Sequence, residues 1–186
     1  MVPGTPITHL CNGSAWHRQR SLFFLLLTAC NEETRAVEKL KEENPRDIKK
    51  VAEAFPKDVQ KELEAPTKFP FKSKNADLTF ASEPAGDPKG KIIMTEFIFG
   101  NGVDSVLHAS TYHNKNTSFD SDGKKPKTVK LKDGTKATIV NNSKTSKVIR
   151  WKKDGLYHSI MLIKSPKSKK EYSIKDIVKT ADSMHH

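Results

Sequence analysis

The stretch Val148-Ile-Arg-Trp-Lys-Lys-Asp-Gly-Leu-Tyr-His-Ser-Ile-Met-Leu-Ile163 reads as two β-strands around a two-residue turn. Asp154-Gly155 is a dipeptide that accepts the positive φ of a type I′ hairpin turn, and the flanking runs 146–152 and 156–163 are apolar or alternating. A period of two puts Trp151 on the side opposite Arg150 and Lys152. Trp151 is therefore expected in the core under a covering helix, with the lysines facing water.

The same punctuation recurs upstream at Asn101-Gly102, Asp122-Gly123 and Asp133-Gly134, bounding further runs at 91–99, 103–112, 126–132 and 135–140. From Phe69 onward the pattern predicts an antiparallel meander. In the run 91–99, Ile93, Thr95, Phe97 and Phe99 share one face and Ile92, Met94 and Ile98 the other, which predicts a central strand covered on both sides.

Helices flank the strands. Ser173 with Asp176 three residues on is a helix start, and Ile174, Ile177, Val178, Ala181 and Met184 then fall on one face, predicting a helix over 174–184 packed on the sheet. Asn44-Pro45 is a second start, with Ile48, Val51, Ala52 and Phe55 as the buried stripe and a short turn from Pro56 carrying Val59 and Leu63. The class is α+β, a curved antiparallel sheet with N-terminal helices and a C-terminal helix packed on it.

The 186 residues carry 33 Lys plus Arg against 22 Asp plus Glu, a formal net charge of +11. That field favours anionic partners without naming one. Residues 17–30 run from His-Arg-Gln-Arg through the uncharged Ser-Leu-Phe-Phe-Leu-Leu-Leu-Thr-Ala to Cys30, followed at once by Asn31-Glu32-Glu33. This is the basic, apolar, small-residue order of a secretory signal, too short for the about 20 apolar residues of a permanent span.

Leu27-Thr28-Ala29-Cys30 looks like the bacterial lipobox. The resemblance implies diacylglyceryl transfer to the Cys30 thiol and cleavage before it. More than one acyl chain is needed for lasting anchorage, at about 0.8 kcal/mol per buried methylene. The division expected is 1–29 signal peptide, 30–43 tether or frayed helix, 44–66 helical segment and 67–186 sheet domain. Cleavage would leave Cys30 as the one cysteine, so burial and not a disulfide must hold the exported part together.

Three stretches resemble the domain-of-unknown-function 4367 family: Val129 to Thr138, Val148 to Tyr157, and Ile174 to Met184. The similarity covers about residues 67–184. Its most specific pieces are the hairpin of Trp151, Asp154, Gly155, Leu156 and Tyr157 and the final helix ending Ala181-Asp182-Ser183-Met184. That family occurs in lipoproteins, sporulation-associated proteins and extracellular ends of anti-sigma factors of Gram-positive bacteria. The resemblance implies a curved sheet distantly like lipoprotein-carrier or sigma-regulator sensor domains, and brings no catalytic residues with it.

His108, His113 and His158 are expected as partly exposed strand residues; two histidines with a carboxylate could bind zinc, but none stands in a metal-ligand spacing. His185 and His186 read as a chain end. Ser118-x-Asp120-x-Asp122-Gly123 echoes half a calcium loop, yet Val129 stands where the bidentate glutamate belongs, and a plain turn is expected. There is no Gly-x-Ser-x-Gly elbow, and Ser165 and Ser168 sit in a Lys-rich turn. Arg150, Lys152, Lys153 and Tyr157 are the candidate binding surface, as aromatics among cations.

The expectation is a non-enzymatic lipoprotein without cofactor or metal, held at the extracytoplasmic face of the cell membrane through Cys30. It would bind an envelope protein, a lipid or an anionic wall polymer, with nucleic acid disfavoured by export. A carrier of lipid or another hydrophobic ligand is the alternative, and a hydrolase a weaker one.

Overall fold

The computed structural model describes residues 36–119 and 126–184. Seven strands form one antiparallel sheet: β1 (Asn75–Glu83), β2 (Lys91–Gly100), β3 (Ser105–Tyr112), β4 (Thr128–Lys130), β5 (Lys136–Asn142), β6 (Ser146–Lys153) and β7 (Leu156–Lys164). The order across the sheet is β1-β2-β3-β7-β6-β5-β4. The meander is realised in two runs: after β3 the chain crosses to the far edge, and β4 to β7 step back until β7 pairs with β3. β1 and β4 are the edge strands among the described residues.

The turn dipeptides do what their chemistry allows. Asp154 and Gly155 both adopt positive φ, 50° and 84°, the type I′ signature, so β6 and β7 pair in register from Lys153↔Leu156 to Ser146↔Ile163. Gly102 and Gly134 also take positive φ. Asp122-Gly123 lies outside the described residues.

Helices cover one face. Residues 36–43 form α1; a π-helical turn at Pro45–Lys49 leads into α2 (Lys50–Ala54), and α3 (Lys57–Lys61) follows. Pro45 occupies the first turn as expected, while Asn44 Nδ2 turns back to the Leu40 carbonyl, 3.1 Å away, and does not cap forward. Ile48, Ala52, Phe55, Val59 and Leu63 are buried. Val37 and Leu40, in the segment expected as tether or frayed helix, pack on the same core. The π-turn and α2 lie against β1, and α4 (Ile174–Ala181) lies across β6 and β7.

The register defines a single core face. Leu78, Phe97, Ala109, Ile160 and Ile149 follow one another across it, flanked by the row Ala76, Phe99, Leu107, Leu162. Ile177, Ala181 and Met184 of the last helical segment close over Ile149 and Trp151 in one continuous cluster. The opposite face has no helix over it among the described residues.

Two details of the strand reading change. β1 has no counterpart among the runs marked out by turn dipeptides. β2 is covered on one face only, and a bulge between Ala81 and Ser82 pairs Ser82 with Ile92, bringing Ile92 and not Ile93 into the core beside Thr95.

Candidate functional site

Strict alternation in β6 sorts the cationic residues. Arg150 and Lys152 rise from the open face, as does Tyr157, the Cα partner of Lys152. Arg150 Cζ stands 3.6 Å above the ring of Phe119, which comes from the connection after β3. Phe119 meets both Tyr112 and Tyr157 edge-on at 5.1 Å, and Lys152 Nζ is 5.1 Å from the Tyr157 ring. Arg150 Nε is buried with no hydrogen-bond partner among the described residues. The result is a cation–aromatic cluster.

Lys153 does not join it. It faces the other way, forming a 3.6 Å ion pair with Asp133. Trp151 is buried, stacked on His158 at 5.4 Å between ring centroids. Period-two spacing is enough to separate Lys153 from Arg150. Phe119 carries no comparable signal in the sequence, because it reaches Arg150 through the fold and not through local spacing.

Beside the cluster a polar row crosses the open face. Ser110 Oγ donates to Glu96 Oε1 at 2.7 Å, and His108 Nδ1 lies 3.1 Å from Glu96 Oε2. The His108 ring, with the Ser110 hydroxyl, holds the Glu96 carboxyl below its usual range against the opposing effect of burial. In a nucleophile, base and acid relay the imidazole stands between hydroxyl and carboxylate. Here the carboxylate stands between the other two, an order that fixes a negative charge and does not activate Ser110.

The other two histidines correct the expectation of partial exposure. His158 is fully buried, and the His113 side chain nearly so, because both turn to the core face and meet glutamates from the segment after α3. His113 Nδ1 is 2.9 Å from Glu62 Oε2 and its Nε2 3.0 Å from Thr95 Oγ1. His158 Nδ1 is 3.7 Å from Glu64 Oε2 and 3.3 Å from Thr111 Oγ1. Burial raises Glu64 to about 7; Lys153 opposes this, and Asp154 and Glu62 add to it. Among the described residues no group of three or more His, Cys, Asp or Glu is placed to hold a metal ion.

Among the described residues, clefts open beside the core at two places. One of about 410 Å³ lies between α1 and the start of β1, with Leu40, Phe69, Ala76 and Phe99 below Lys39 and Lys74. The other, about 290 Å³, lies between the β4–β5 turn and the end of α4, lined by Leu131, Trp151, Ala181 and Met184 with Lys132, Asp133, Lys153 and Asp182. No helix among the described residues is long and apolar enough to cross a membrane. Leu27, Thr28, Ala29 and Cys30 lie outside the described residues, as do Asp120, Asp122, His185 and His186. No family model, curated protein or solved structure matches this chain.

Proposed function

We propose that this chain is a non-enzymatic, lipid-anchored lipoprotein of the extracytoplasmic membrane face, related to the domain-of-unknown-function 4367 family, whose open sheet face binds an anionic envelope component. The observation that carries the binding half is the Arg150–Phe119–Tyr157–Lys152 cluster on a face that no described helix covers. An arginine stacked on a ring keeps its N–H groups for an anion while the ring supplies apolar contact. The anchoring half rests on Leu27-Thr28-Ala29-Cys30.

Each half has its own test. Cells fed a palmitate analogue should label the wild-type chain and not Cys30→Ala; absence of label on the wild type removes the anchor. Purified anionic wall polymer should bind the chain, and Arg150→Ala should weaken binding about tenfold, the effect of one charge-assisted contact. Equal binding by both removes the face.

The carrier reading is favoured by the two clefts with partly apolar walls, of about 410 and 290 Å³. It requires a sheet curved enough to enclose an acyl chain. Native mass spectrometry should then find co-purified lipid, and a chain that is repeatedly empty counts against it.

A further inference from the structure

We propose that one end of the sheet, where the β2–β3, β5–β6 and β7–α4 connections meet, docks on an anionic lipid surface with Val103 at its tip. Pairing brings these connections together: Asn75 is opposite Gly100, Ser105 opposite Lys164 and Ser146 opposite Ile163. Backbone hydrogen bonds join them, Lys74 N to Gly100 O at 2.8 Å, Ser165 N to Asp104 O at 2.8 Å and Lys164 N to Thr145 O at 2.9 Å.

Two buried lysines stiffen the loops from inside. Lys164 Nζ donates to the carbonyls of Ser168 and Lys170, at 3.1 and 2.6 Å, and Lys147 Nζ donates to the Ser143 carbonyl. The exposed lysines of this end, Lys72, Lys74, Lys144, Lys167, Lys169 and Lys170, form no ion pair within 4 Å among the described residues. Its acids are Asp104, Glu171 and Asp176, with Glu43 lining the same cleft as Lys74; Asp104 accepts from Asn101 Nδ2 and Ser105 Oγ at 2.8 and 2.9 Å and stays ionised near Lys170, and Asp176 accepts from the backbone and hydroxyl of Ser173, so the six exposed lysines outnumber the carboxylates without being neutralised by them. At the opposite end Lys91 pairs with Glu83 and Lys153 with Asp133, while Lys89, Lys132 and Lys136 are exposed with no ion pair within 4 Å among the described residues, so it is the apolar tip, and not charge alone, that sets the first end apart.

Val103 is 80% exposed and Ile163 41%. A single exposed valine is ordinary. This one is held out at a loop tip by Asn101, whose Oδ1 accepts from the N–H groups of Val103, Asp104 and Ser105 at 2.9, 2.9 and 3.1 Å. A fixed apolar tip among exposed lysines suits headgroups over an acyl boundary. It suits nucleic acid less: Phe71 is buried, and Tyr172 is engaged by Ser105 Oγ at 3.1 Å and packs edge-on against it, so neither offers a free face for base stacking.

The inference does not depend on acylation of Cys30. It is tested on the full chain carrying Cys30→Ala, by co-sedimentation with phosphatidylcholine vesicles with and without phosphatidylglycerol. The neutral vesicles report whatever the apolar leader contributes. Each lysine near an anionic surface changes partitioning about fivefold. Joint Lys144→Gln, Lys167→Gln, Lys169→Gln and Lys170→Gln should therefore lower the excess binding to anionic vesicles at least about a hundredfold.

Val103→Asp should lower that binding about tenfold, the effect of losing one buried valine. Lys89→Gln with Lys132→Gln, at the opposite end, should leave it unchanged. Absence of any excess on anionic vesicles, or its retention in the four-lysine variant or in Val103→Asp, overturns the proposal. Palmitate labelling is read separately, so loss of the anchor and loss of this surface are distinguishable.

Discussion

Glu64 Oε2 stands 3.7 Å from His158 Nδ1 inside the core, joining the segment after α3 to the first half of β7. Burial holds the Glu64 proton, moving its titration from 4.5 to about 7. Below about pH 4.5 both folded and unfolded chains carry that proton. Between there and pH 7 the native state binds it more tightly, so stability falls as pH rises, and the penalty is complete above pH 7, on the order of 3 kcal/mol. Glu64→Gln should therefore be more stable than the parent at pH 8 by about 1–3 kcal/mol, with the difference vanishing near pH 4.5. Urea unfolding of both chains at several pH values checks this; parallel curves would refute it.

Glu96 has the opposite sign. Its carboxyl is held low by His108 and Ser110, so its contribution is present above the ordinary glutamate range and lost as pH falls through the depressed value. Glu96→Gln should destabilise by about 1 kcal/mol at pH 7 and progressively less in acid. Measuring it beside Glu64→Gln separates the two carboxylates by direction alone.

Much of this fold was legible because its signals are local. The Asp154-Gly155 turn, the Ser173 helix start and the stripe of Ile177 and Ala181 are set within a few residues of one another. β1 was less legible: Asn75, Ala76, Asp77, Ala81 and Ser82 are weak strand formers, and pairing with β2 overrides that preference. The burial of His113 and His158 follows from Glu62 and Glu64, contacts that span much of the chain and leave no spacing to read. Lys153 differs: period-two spacing already sets it apart from Arg150, and only its pairing with Asp133 comes from the fold.

Trp151 fills the junction of β6, α4 and the smaller cleft, stacked on His158. Trp151→Ala should cost about 3–5 kcal/mol, and Trp151→Phe less, because the phenyl ring keeps part of the contact. Chemical denaturation gives the cost. A loss under about 1 kcal/mol would mean the cleft collapses over the gap.

The hairpin from Val148 to Ile163 allows a conformational cost to be separated from a steric one. A Cβ added at Gly155 meets nothing within 4 Å, yet φ there is +84°, so Gly155→Ala should cost about 1 kcal/mol through the backbone alone. At Gly90 the added Cβ would come within 2.6 Å of the Glu83 carbonyl oxygen, a backbone atom that cannot swing aside. Gly90→Ala should therefore cost more than Gly155→Ala, since the β1–β2 turn must move to admit it. Denaturation midpoints of the two variants, compared with the parent, test the ranking. Equal losses would show that the β1–β2 turn yields as readily as open space, and that the pairing of Glu83 with Lys91 is not what fixes its path.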